Sequence, residues 1–329
     1  MVIGDVSAPP QETADPVVPA EPVEGEGAFA PAEESQPEPT PVRTEGPPRP
    51  SALVIVLAAV LFVSIVAAFL GAFAFGFSAV QEHRSQQQLY AQFRGLIAPA
   101  STVAPSTGGV IAPGTPVALL NAPAAGIQNV MVVEGTSSGD LLQGPGHLPN
   151  TPLPGQAGEA VLVGKSTTAG APFAHLSLLR KGDVVTVRTG QGLFRFAVQS
   201  LIVPGTHQPA ILANRGRLVL VTSAGPGGVG GLEPSQTVDI EATLQGKAVP
   251  APPHRPHTVQ LSNVPGQSDP AAWPFVALWL AGLVAASAAV WWLWARWGIL
   301  RAWIIGAPVL LALLWGLSDE AMRLLPNVY

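Results

Sequence analysis

A chain of 329 residues without a single cysteine has no thiol nucleophile, no disulfide and no cysteine–zinc site. A serine hydroxyl attacks poorly unless a base lies beside it, and bases are few. Lysine occurs only at Lys165, Lys181 and Lys247. Among the histidines, His147 and His175 fall in the central region, where a histidine is more often a structural hydrogen-bonder than a base. His254 and His257 lie in a proline-rich stretch and would bind metal only adventitiously. No acidic cluster suggests a calcium site, so neither a cofactor nor a metal is expected.

Two glycine motifs look chemical and fail on context. Gly164-Lys-Ser-Thr167 resembles the end of a phosphate-binding loop, but the glycine required five positions earlier is Glu159. Gly225-Pro-Gly-Gly-Val-Gly230 matches a dinucleotide fingerprint, yet a strand pattern follows it instead of the helix that would receive a pyrophosphate.

The elements that would carry such residues lie between Pro116 and Lys247. Short β-branched runs recur there between Gly/Pro turns, at Val130–Val133, Ala160–Val163, Val184–Val187, Leu193–Val198, Leu218–Val221 and Val238–Ala242. Alternation in Val184-Val-Thr-Val-Arg188 and Phe194-Arg-Phe-Ala-Val198 marks half-buried strands, and the spacing predicts a small all-β sandwich or barrel over 116–247. A short helix is expected at Phe173–Leu179.

Around this domain the chain reads as a membrane protein. Hydrophobic residues make up 48% and charged residues 11%, a balance low in charge for a soluble protein. Residues 1–50 hold ten acids against Arg43 and Arg49, with twelve prolines. Such a segment buries too little apolar surface to offset its ordering entropy and is expected to be a disordered cytoplasmic tail. Residues 51–80 carry no charge and are long enough to cross a bilayer. Residues 81–115 are expected to be a linker whose polar start, Gln81–Arg94, continues the helix out of the bilayer. A proline-rich linker at 248–271 precedes two further spans, 272–295 and 298–317, and a short tail, 318–329. All eight tryptophans lie between Trp273 and Trp315, as in an interfacial aromatic belt. Arg296 and Arg301 in the short loop between these spans favour the cytoplasm. The expectation is therefore a multi-pass cell-membrane protein with an extracytoplasmic β-domain. No strongly basic stretch exists, so nucleic acid is excluded as a partner.

A collinear series of motifs makes the β-domain more specific. Pro116-Val-Ala, Val133-Glu-Gly-Thr136, Ser138-Gly-Asp-Leu141, Gly144-Pro-Gly-His147, Pro154-Gly155, Ala160-Val-Leu-Val-Gly164, Thr167-Thr168, Gly170-Ala-Pro-Phe173, His175-Leu176 and Leu179-Arg-Lys-Gly-Asp183 resemble the actinobacterial sortases, of the class E/F kind. The resemblance implies a mainly β fold: a sortase-like eight-stranded barrel, here flanked by one N-terminal and two C-terminal transmembrane helices. It also implies a cysteine transpeptidase that acts on a sorting-signal peptide. Leu148-Pro-Asn-Thr151 resembles such a signal, but it lies inside the domain and reads as a structural loop.

At the positions where the resemblance implies catalytic groups, this sequence differs. Lys165 stands where the family histidine is expected, after the strand ending in Gly164. Ser223 stands where the cysteine is expected, after Leu218–Thr222. No arginine occurs between Arg217 and Arg255, and Ser235 or Gln236 takes the approximate place of the family arginine. Three readings follow. One is a pseudosortase that keeps the groove and binds a sorting-signal peptide or an intact sortase. Another is an active peptidase or transpeptidase with a Ser223–Lys165 dyad. The last is an envelope protein that retains only the fold.

Overall fold

The computed structural model describes residues 51–97, 110–202, 215–224, 236–251 and 261–328. The acidic segment 1–50, the centres of both spacers and the glycine-rich loop after Ala224 lie outside the described residues, and with them the expectations placed there.

Eight strands close into a barrel. They are β1 (Pro116–Ala122), β2 (Ile127–Glu134), β3 (Gly146–His147), β4 (Gly158–Val163), β5 (Val184–Thr189), β6 (Gly192–Ile202), β7 (Gly216–Ala224) and β8 (Gln236–Leu244). Their order around the barrel is β1-β2-β3-β4-β7-β8-β6-β5. Alternating sequence becomes alternating burial: Val185, Val187 and Thr189 point inward while Val184 and Arg188 face out. The core gathers Leu120, Leu162, Phe173, Phe196, Leu218 and Ile240. All six apolar runs singled out from the sequence lie on strands. The short helix expected at Phe173–Leu179 is a single 3₁₀ turn, Leu176–Leu178, because Phe173 is drawn out of it into the core.

Four helices flank the barrel. Helix α1 (Ala52–Ala72) runs through a π-helical segment, Phe73–Phe77, into α2 (Ser78–Ile97). The polar stretch Gln81–Arg94 thus continues the helix, as expected of the start of the 81–115 linker, and the helix runs on to Ile97. Its polarity is one-sided: Leu89 and Phe93 are buried against Met131 and Val133 of β2. Gln86 completes the seam, donating to the Met131 carbonyl (3.1 Å) and the Gln143 carbonyl (2.8 Å) and accepting from the Met131 amide (2.7 Å).

Helices α3 (Trp273–Trp297) and α4 (Ile299–Arg323) form a hairpin turning at Gly298, whose φ of +87° suits a residue without Cβ. Small residues permit the close approach of the two helices. A Cβ on Gly316 would meet the Trp279 ring at 2.7 Å, and one on Gly306 would meet Val290 at 2.5 Å. Leu283, Leu314 and Leu317 pack against Phe62, Val66 and Phe69 of α1, and Phe73 meets Trp315 edge-on at 5.1 Å between ring centres. Ala52–Gly95, Pro270–Trp297 and Ile299–Arg323 are each long and apolar enough to cross a membrane. Helix α4 extends to Arg323, beyond the expected end at 317. There Gln81 donates to Asp319 at 2.9 Å, and Arg323 pairs with Asp269 at 2.9 Å. This delivers the residues after α4 to the barrel.

Candidate active site

The site forms where two parallel neighbours run out. Strands β4 and β7 pair from Gly158↔Gly216 to Val163↔Val221. The ladder persists one step further: the Gly164 amide bonds the Val221 carbonyl at 3.0 Å, and the Thr222 hydroxyl donates to the Gly164 carbonyl at 2.8 Å. Residues 164–166 therefore lie beside Thr222 and Ser223. Gly164 must be glycine, since a Cβ there would meet the Phe173 ring at 2.5 Å.

Lys165 is completely buried. Its Nζ has no hydrogen-bond partner among the described residues. Burial of the charged form is the cause that lowers its pKa from 10.5 to about 8. Ser223 is buried as well, at 7% exposure, but its hydrogen bonds go elsewhere. The Ser223 hydroxyl donates to the Val328 carbonyl at 2.8 Å and shares a 2.6 Å contact with the Ser166 hydroxyl. Since Lys165 Nζ is unbonded, it makes no hydrogen bond to Ser223 in this arrangement.

A hydroxyl carries one hydrogen, so the contacts can be ordered. The shorter approach to the Val328 carbonyl is that of Ser223, 2.8 Å against 3.3 Å for Ser166, which assigns the Ser223 hydrogen to the carbonyl and leaves Ser166 to donate to Ser223. The proton that a nucleophilic serine must give to a base points instead at a peptide oxygen. The Ser166 amide also donates to that oxygen, at 3.3 Å. The site can thus fix a main-chain carbonyl from two directions.

A shallow apolar pocket adjoins the hydroxyls. Leu141, Val163, Val219 and Val221 surround the fully buried side chain of Val328. The loop that supplies Leu141 is tied down on its far side, where Thr136 bonds Asn263 through its amide (2.8 Å) and its hydroxyl (2.6 Å). Ser138 donates to the Met322 carbonyl at 3.1 Å.

The remaining residues singled out from the sequence lie apart from this chemistry. His147 Nδ1 contacts Glu134 Oε2 at 2.7 Å, and its Nε2 lies 3.0 Å from both the Thr151 hydroxyl and the Pro152 carbonyl. The ring clasps a loop between strands. Within that loop the Thr151 hydroxyl donates to the Leu148 carbonyl at 2.8 Å, which makes Leu148–Thr151 a turn of the domain itself. His175 is exposed. At the approximate arginine position, Gln236 opens β8 opposite Ala224, and Ser235 lies outside the described residues. No grouping of His, Asp and Glu among the described residues could hold a metal ion.

Sequence reading does not single out Ser166 or the segment around Asn327 and Val328. Ser166 is visible only as part of the phosphate-loop look-alike, and a segment after a membrane span carries no sign that it folds back.

No curated protein matches the chain. Among solved structures, the chain is similar to a sortase D5 transpeptidase of Clostridium perfringens, with 19% identity and a TM-score of 0.40 over 50% of this chain and 99% of that one. It is similar to sortase E of Streptomyces avermitilis, with 28% identity and a TM-score of 0.34 over 42% and 92%. It is also similar to the SrtF sortase of Corynebacterium diphtheriae, with 20% identity and a TM-score of 0.37 over 48% and 98%. The sortase domain family matches residues 120–227, from β1 through β7 and so across Lys165 and Ser223. The β-barrel of this chain is a sortase domain.

Proposed function

We propose that this chain is a membrane-anchored pseudosortase: its barrel faces the outside of the cell, holds an extended peptide in its groove and does not cleave it. The observation that carries the reading is the hydrogen-bond order at Ser223. Its proton is directed to a peptide carbonyl, its oxygen accepts from Ser166, and Lys165, the base beside it among the described residues, is bonded to neither. Two chemical deficits support the same conclusion. A serine lacks the ready ionisation of a thiol, which occurs near pH 8.5. The stretch from Arg217 to Arg255 offers no further arginine to steady an oxyanion, and loss of one such donor typically costs about 100- to 1000-fold in rate. The partner would be a sorting-signal peptide or an intact sortase that the barrel holds at the membrane, with the 1–50 segment on the cytoplasmic side.

One observation favours a second reading, an active Ser223–Lys165 dyad. A buried amine whose pKa falls to about 8 is neutral in about a tenth of molecules at pH 7, enough for a general base if Lys165 swings to Ser223. A serine-reactive acylating probe separates the two. The pseudosortase reading expects no selective labelling of Ser223. Labelling that disappears in Lys165→Ala establishes the dyad instead.

A further inference from the structure

The peptide carbonyl at Ser223 belongs to the chain itself. Beyond Arg323, the end of α4, the backbone turns back to the ends of β4 and β7, and only Asn327 and Val328 of residues 324–328 are buried. Val328 fills the apolar pocket and places its carbonyl on Ser223 and Ser166. Asn327 is fully buried and saturated. Its side-chain nitrogen donates to the carbonyls of Thr136 (2.6 Å), Val264 (3.0 Å) and Ser262 (3.4 Å). Its side-chain oxygen accepts from the Gly266 amide at 2.8 Å, and its own amide donates to the Gln267 carbonyl at 2.9 Å.

This is the way a bound peptide is held, with a main-chain carbonyl fixed by donors, one side chain in an apolar pocket and one amide side chain fully paired. Yet the attachment is small beside that of a barrel strand. It rests on one fully buried apolar side chain, Val328, a half-buried one, Leu325, packed near Phe73 and Leu142, and hydrogen bonds that water can replace.

We infer that the segment Leu325–Val328 is a cis ligand that gates the groove: while it is seated Ser223 is closed, and another peptide reaches Ser223 only after Asn327 and Val328 leave. The inference rests on reading the groove as a peptide site, and it adds that access to the site is set by the chain's own segment.

The absence of native cysteine makes a direct test available on the full chain in detergent or nanodiscs. Ser223→Cys supplies the sole thiol, and its rate of maleimide modification reports access. Removing the Asn327 side chain deletes four hydrogen bonds and leaves buried partners unpaired, so Asn327→Ala should raise that rate about tenfold or more. Val328→Asp should act in the same direction. Ala118→Cys, in the barrel core with no exposure, serves as the control for unfolding and should stay unreactive in both backgrounds.

An unchanged rate at Ser223→Cys in both variants would overturn the gate. So would a rise matched at Ala118→Cys, which would make the segment a structural part of the barrel. A synthetic hexapeptide with the sequence of residues 324–329 is then added to the Asn327→Ala chain. Renewed protection of the Ser223→Cys thiol supports both the gate and the peptide site. A raised rate that the peptide does not reverse keeps the gate and removes the peptide-binding reading.

Discussion

The hydroxyls of Ser166 and Ser223 lie 2.6 Å apart, and through that contact Ser166 engages one of the two lone pairs of the would-be nucleophile. Its removal tests whether Ser166 restrains the site or only supports it. Ser166→Ala deletes the contact to Ser223 and one of the approaches to the Val328 carbonyl, and should destabilise the barrel by about 1 kcal/mol. It should not by itself create peptide cleavage, because no base is brought nearer. Thermal unfolding, with a fluorogenic peptide assay alongside, checks both parts; cleavage by this variant would mean that Ser166 alone suppresses an otherwise complete site.

Restoring the thiol addresses the missing chemistry more directly. Ser223→Cys should remain unable to cleave a sorting-signal peptide at a rate above background, even when combined with Asn327→Ala to open the groove. The thiol would lack an imidazole partner, and the described part of the site offers no arginine to the oxyanion. Turnover by the double variant would show that Lys165 suffices as its partner.

Lys165 makes the stability of the barrel depend on pH. Its pKa is about 8 when folded against 10.5 as the ordinary value, so the unfolded chain binds more protons between those limits and stability rises with pH across them. The contribution is fully present above 10.5, is lost as pH falls toward about 8, and stays lost below. By the size of the shift the loss is on the order of 3 kcal/mol. Lys165→Met should abolish this rise and should therefore stabilise the barrel most below pH 8. Unfolding midpoints of both proteins from pH 7 to 11 provide the comparison, and parallel curves would mean that the buried amine finds a partner on folding.

The proposed orientation, with the barrel outside the cell, rests on Arg296 and Arg301 at the hairpin and on three candidate spans. Ser200 and Gln245 are exposed on the barrel, so Ser200→Cys and Gln245→Cys should each react with an impermeant maleimide on intact cells. Labelling only after lysis would reverse the topology.

Much of the scaffold was open to reading because its causes are local. Val184–Arg188 alternates, so it forms a half-buried strand; 51–80 and 272–295 are almost wholly apolar, and they lie in helices long and apolar enough to cross a membrane. Helix α2 was harder, since Gln81–Arg94 has a polar average and only Leu89 and Phe93 reveal the face that packs on β2. The site was legible in part. Lys165 and Ser223 follow from position along β4 and β7, but their partners do not. Whether Lys165 meets Ser223 or is left unpaired depends on side-chain direction at the end of a ladder, which no periodicity encodes. The occupancy of the groove depends on where α4 ends in space. Leu325-Pro-Asn-Val328 does repeat the first three residues of Leu148-Pro-Asn-Thr151, the stretch that resembles a sorting signal, but the repeat says nothing of where the segment lies.

Val328 lies five residues past Arg323, and Arg323 is itself clamped by Asp269 and Glu320. A short tether of this kind holds Asn327 and Val328 near Ser223 at an effective concentration on the order of millimolar. An outside peptide present at micromolar levels must then bind about a thousandfold more tightly than the tethered segment to displace it half of the time. The clamp on Arg323 thereby sets an affinity threshold, and any tilt of α4 that withdraws the tether would lower that threshold without changing a single residue of the groove.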